Sequence, residues 1–224
     1  MKGIIIEGVA SSGKTSILKH LHAKISEQFP ASTKLFISEH YTERMLEHLK
    51  ESKKLSGLYI KNHIGRVVDN LENYQDMLNK SKFASNPKSA NAYVTLERFI
   101  LTYLSSSPIE KEYSLNEAKQ HFKKLNNMGI KQVVLTIPQE HFKERLLSTL
   151  KYRNDTWKEH LYSRGNEDEV IAYYLKWQEE FLDYADKFKD SIDTLIVEIK
   201  DTDYKKYSDL IFNHCFNENG HIRK

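Results

Sequence analysis

The stretch "EGVASSGKTS" constrains this chain more than any other: Gly8 and Gly13 stand five apart, Lys14 and Thr15 follow at once, and the apolar run "GIIIEG" leads in. The spacing Gly8-x4-Gly13-Lys14-Thr15 is the phosphate-loop pattern, and each residue type answers a physical need. Glycines let the backbone curl until several N–H groups point at one anion. Lys14 suits the β- and γ-phosphates of a nucleotide, and the Thr15 hydroxyl suits the Mg²⁺ that bridges them. Ser11, Ser12 and Ser16 complete the expected nucleotide lining. Lys2 to Glu7 reads as a buried strand, and Ile17, Leu18, Leu21 and Ile25 recur at helical spacing behind the loop. Strand, glycine loop and helix are the order that the pattern requires, so ATP with Mg²⁺ is the expected ligand pair.

A chain of 224 residues suits one α/β domain rather than two. Its formal charge is +3, with 34 lysines and arginines scattered among 31 acids, so charge points to no nucleic-acid partner. The single cysteine, Cys215, excludes an internal disulfide and any cysteine-based zinc site, which favours a reducing, cytoplasmic setting. No apolar run approaches a membrane span, and Ile4 to Ile6 stop at Glu7 without a signal-peptide core.

Five β-rich runs are separated by helical segments: "GIIIEG", "TKLFIS" at 33–38, "AYVTLE" at 92–97, "QVVLTIP" at 132–138 and "DTLIVEI" at 193–199. Such alternation predicts a parallel sheet covered by helices on both faces. An insertion at about 41–91, with the amphipathic pattern "LYIKNHIGRVVDNLENYQDML", is the expected acceptor-binding region. Ser114 and Glu117 form a capping-box pattern, with Gly129 at the C′ position of the same helix. From 139 to 190 the chain reads as nearly all helical, interrupted around "YSRGNEDE".

The chain lacks Asn-Lys-x-Asp for guanine, an Asp-x-x-Gly switch, and a strand ending in an apolar run plus aspartate. Instead "TLERF" puts Glu97 and Arg98 at the C-terminal end of the third strand, where open α/β sheets present ligands, although an ordinary strand-end ion pair has the same look. With "IIIEGVASSGKTS", a glutamate after the second strand in "FISEHY", "ERF", and an arginine-bearing helical segment after the fourth strand, the sequence resembles the deoxyribonucleoside kinase and thymidylate kinase group of P-loop kinases. The resemblance implies a five-stranded parallel sheet of order 2-3-1-4-5, with Glu39, Glu97 and Arg98 around the transferred phosphate. It implies Glu39 as the base on the acceptor hydroxyl, and Glu97 with Arg98 for metal and phosphate positioning. His40 stands where deoxynucleoside kinases usually carry proline, Phe99 where they carry serine, and neither thymidylate-kinase motif, Arg-Glu-Pro or Asp-Arg, is complete.

A helical lid is expected at about 145–168. Of seven arginines, Arg145, Arg153 and Arg164 fall there, and Arg153 and Arg164, flanking the helix break, are the preferred phosphate ligands; solvated helix-face arginines are the alternative. Tyr59, Tyr74 and Phe83 in the insertion suit base stacking or core packing equally. "DTD" at 201–203 reads as a helix cap rather than a metal site. The acceptor expected is a small hydroxyl compound, a (deoxy)nucleoside foremost. A nucleoside monophosphate, for which Arg44, Lys61 and Arg66 are the available cations, and an antibiotic-like alcohol stay open, as do homodimerisation and an ATP-sensing module without transfer.

Overall fold

A computed structural model describes residues 1–46, 55–82, 84–85, 92–106, 113–152 and 154–216. Strands β1 (Lys2–Gly8), β2 (Thr33–Ile37), β3 (Ala92–Glu97), β4 (Ile130–Thr136) and β5 (Thr194–Glu198) form one sheet of order β2-β3-β1-β4-β5. Every pairing is parallel. Register pairs Ile6 with Glu97 and Ile37 with Leu96, so the C-terminal ends of β1, β2 and β3 reach one edge together.

The central strand alternates its isoleucines between two cores. Ile4 and Ile6 pack with Ile17, Leu21 and Ile25 of α1 (Lys14–Gln28) and with Ile211 and Phe212 of α9 (Tyr204–Phe216). Ile5 packs into the opposite cluster, which takes Ile64 and Val68 from α3 (Gly57–Lys80), Phe122 from α5 (Leu115–Asn127) and Phe181 from α8 (Glu167–Phe188). Each such side chain removed from water stabilises the fold by about 1.5–3 kcal/mol. Between these lie α2 (Glu39–Thr42), α4 (Ile100–Ser106), α6 (Gln139–Ser148) and α7 (Asp155–Tyr162), with 3-10 turns at Arg44–Leu46 and Thr149–Tyr152.

The capping box of α5 is present: Ser114 Oγ accepts from Glu117 N–H at 3.3 Å, and Glu117 Oε2 accepts from Ser114 N–H at 2.9 Å. Gly129 follows the cap residue Met128 and leads directly into β4, which begins at Ile130, two residues before the expected start at 132. Asp203 caps α9 by accepting from Lys206 N–H at 3.2 Å, as the helix-cap reading of "DTD" requires. Arg153 and Phe83 lie outside the described residues. No described helix is long and apolar enough to cross a membrane.

Candidate active site

The loop between β1 and α1 owes its shape to backbone angles that side chains resist. Gly8 has φ 148° and Gly13 has φ 88°. A Cβ on Gly8 would come within 2.8 Å of both the Leu135 carbonyl and Ser12 Oγ, and one on Gly13 within 2.5 Å of the Tyr204 ring. Ser11 takes φ 63° without being glycine, and its hydroxyl lies 3.1 Å from that of Thr149. Gly13 is the N-cap of α1 and brings no side chain to it, so the first helical N–H groups stay available to an anion.

Lys14 is buried, and its ammonium donates to the carbonyls of Gly8 at 2.7 Å and Val9 at 2.9 Å. One of its three donors remains for the cleft. Burial and the nearby Arg98 charge lower its pKa to about 7, against the opposing pull of Glu97, Glu39 and Glu43. Thr15 Oγ1 donates to Glu97 Oε1 at 3.3 Å, which sets a hydroxyl and a carboxylate oxygen side by side, a hard donor set that fits Mg²⁺. Ser12 is buried with its Oγ unpartnered, and Ser16 lines the cleft.

The other wall is built at the ends of β2 and β3. Glu39 is the first residue of α2, and its carboxylate meets Arg44 NH2 at 2.8 Å and Arg98 Nε at 3.2 Å. Arg98 NH1 donates to Glu43 Oε2 at 3.1 Å. Burial pulls the Arg98 pKa down, but Glu43, Glu39 and Glu7 outweigh it, and the net shift is upward. The one-turn helix α2 is fastened from beneath: Thr42 Oγ1 donates to the Glu97 carbonyl, while the Thr42 carbonyl accepts from Tyr103 OH at 2.7 Å and lies 3.1 Å from His63 Nε2. Burial lowers the His63 pKa, which favours the neutral ring.

Both walls line one cleft of about 210 Å³, which takes in Ser11, Gly13, Lys14, Thr15, Ser16, Glu39, Glu97 and Arg98 of the expected residues. Gly8 belongs to the loop beneath it, its carbonyl accepting from Lys14. Arg164 is not on the cleft lining: its guanidinium carbon lies 4.3 Å from the Tyr173 ring centre and 5.8 Å from that of Tyr174. Arg145 donates to the Asp201 carbonyl and sits 6.0 Å from the Tyr204 ring. Lys61 pairs with Glu117 on α5, so of Arg44, Lys61 and Arg66 only Arg44 lines the cleft. Tyr74 lines a different cavity, with Tyr41 and Phe36, while Tyr59 is exposed.

Sequence reasoning missed Glu7, Glu43, Thr149, Trp157 and Tyr204. Glu43 stands four residues after Glu39, a spacing that suits a solvated helix face, but α2 ends after one turn and the carboxylate meets Arg98. Thr149, Trp157 and Tyr204 line the cleft from elements far along the chain and carry no local motif.

No family model matches this chain, and no curated protein matches it. Among solved structures it is similar to shikimate kinase from Acinetobacter baumannii in complex with shikimate, with TM-score 0.49, 12% identity, and 96% of this chain covering 92% of that one. It is also similar to thymidylate kinase from Ehrlichia chaffeensis, with TM-score 0.44, 14% identity, and 94% of each chain covered. Likenesses this slight add nothing to the sheet order and loop geometry seen directly.

Proposed function

We propose that the chain is a phosphate-loop phosphotransferase, which binds ATP with Mg²⁺ and moves the terminal phosphoryl group to a hydroxyl of a small acceptor, foremost a nucleoside or deoxynucleoside. The observation that carries this reading is the convergence of Lys14 and Thr15 with Glu39, Glu97 and Arg98 in one cleft at the C-terminal ends of three neighbouring strands.

Lys14 and the N–H groups opening α1 bind the phosphates, and Thr15 with Glu97 would hold the metal, which when bound offsets charge on the phosphate oxygens. Glu39 takes the acceptor hydroxyl proton as the new O–P bond forms and the bond to ADP breaks, its electron pair leaving with ADP. Arg98 stabilises charge on the phosphoryl oxygens in transit. The insertion at about 41–91 holds the acceptor. The segment at about 145–168 serves as the lid, bringing Arg153 and Arg164 to the phosphates; the contact of Thr149 with Ser11 and the place of Trp157 on the cleft wall support it.

One observation favours a second reading, a nucleoside monophosphate acceptor: Arg44 and Arg98 both flank Glu39, and paired guanidinium groups suit a phosphate dianion. The test is ADP release measured across nucleosides, nucleoside monophosphates and neutral polyhydroxy alcohols. A neutral nucleoside as best acceptor supports the first reading and a monophosphate the second. ATP binding without acceptor-dependent release in any arm would sink both and leave a nucleotide-sensing module.

A further inference from the structure

Glu7 is fully buried at the end of the central strand, next to the phosphate loop. Burial pushes its pKa up, against hydrogen bonds that pull it back. A carboxylate in an apolar core is strongly disfavoured, and an apolar residue of similar size serves stability as well or better, so its presence calls for a reason. Its hydrogen-bond donors among the described residues lie on one turn: Oε1 accepts from the N–H groups of Phe99 at 2.8 Å, Leu101 at 3.1 Å and Thr102 at 3.5 Å, and Oε2 from Thr102 Oγ1 at 2.6 Å.

That turn begins at Arg98. Arg98 has φ 55°, a left-handed conformation that a long side chain adopts only when its surroundings hold it there. Its own N–H donates to the Ile6 carbonyl at 2.9 Å. Arg98 is thus strapped to β1 on both sides, by Ile6 before and by Glu7 after, at the two residues that precede Gly8.

We infer that Glu7 is a positioning residue for transfer: it fixes the turn carrying Arg98, and so fixes the Arg98 guanidinium against the phosphate loop and Lys14. The inference rests on the phosphotransferase reading, and Glu7 acts through Arg98 without touching substrate. Misplacing a transition-state group by about 1 Å lowers turnover by roughly 10²-fold.

Glu7→Gln keeps the shape and removes the charge. It is expected to lower kcat by roughly 10²-fold with KM for ATP unchanged, and to lower nothing further in an Arg98→Ala background. Thr102→Val, which removes one donor, should show the same pattern at smaller size and serves if Glu7→Gln does not fold. An equal loss with and without Arg98 would overturn the inference and leave Glu7 a fold residue. A second readout needs no turnover. The chain has two tryptophans; Trp177 has Arg98 5.8 Å from its ring centre. With Trp157→Phe as parent, Glu7→Gln (or Thr102→Val) should shift Trp177 emission, and should not do so when Arg98 is alanine; unchanged emission in the parent would also overturn the inference. If the unaltered chain transfers no phosphoryl group, the functional reading fails, while the emission comparison still decides whether Glu7 sets Arg98.

Discussion

Lys14 and Arg98 face one cleft from the ends of neighbouring strands, yet Lys14 is held by two neutral carbonyls and Arg98 by two carboxylates. Burial therefore wins at Lys14, whose pKa falls to about 7, and loses at Arg98, whose pKa rises. The phosphate-loop corner is short of negative charge and suits an incoming anion. At the β2–β3 corner the counter-charges are already in place, so its geometry exists before any ligand arrives. On the proposed function, one corner binds and the other is aimed.

The largest expected effect is at the binding corner. Lys14→Ala should remove transfer by roughly 10³-fold or more with no loss of melting temperature near pH 7, because the ammonium contacts loop carbonyls rather than the core. Near-normal ADP release in that variant would erase the phosphate assignment. Glu39→Gln should cut acceptor-dependent turnover by roughly 10²- to 10⁴-fold and leave affinity for a non-hydrolysable ATP analogue nearly unchanged by titration calorimetry. If affinity falls instead, the two corners are not separate in function. Alanine at Arg153 or Arg164 should lower kcat by about tenfold and more than it raises KM; a pure KM effect would make these ordinary binding residues.

The smallest effect is a pH slope. The folded Lys14 pKa of about 7 lies below its ordinary 10.5, so across that window the unfolded chain binds more protons and the lysine's contribution to stability rises with pH. The melting-temperature advantage expected of Lys14→Met should be largest near pH 7 and shrink toward pH 10. Arg98 holds its proton throughout and gives no such slope, so a flat difference at Lys14 would place both cations in one class.

What could be read in advance follows from the period of the forces involved. β1 and β3 are buried along almost their whole length, so they stand out as short β-rich runs that are mostly apolar, and the loop behind β1 carries its motif in consecutive residues. β4 was harder to bound because Gly129 ends α5 and feeds the strand with no linker between. The places of Glu39 and the Glu97–Arg98 pair at strand ends were legible, and their proposed roles came from the family resemblance. Glu43 was not, since spacing of four from Glu39 suits a solvated helix face, and only the early end of α2 turns it inward. Glu7 reads as the residue that stops an apolar run, and nothing local reveals that the turn after Arg98 satisfies it. The helix break near Arg164 was legible in "YSRGNEDE", but the Asn166 cap and the tyrosine faces on which that arginine rests were not.

The Tyr204 ring that roofs Gly13 has a consequence for how the molecule comes to be made. The phosphate loop is translated some 190 residues before its roof and the α9 helix that packs on α1. Closing that distance is a long-range contact, slow by its topology and absent from any nascent chain short of α9. During synthesis the loop is therefore an open turn on an exposed apolar helix. The closed form of the loop arrives late, with the docking of the last described element.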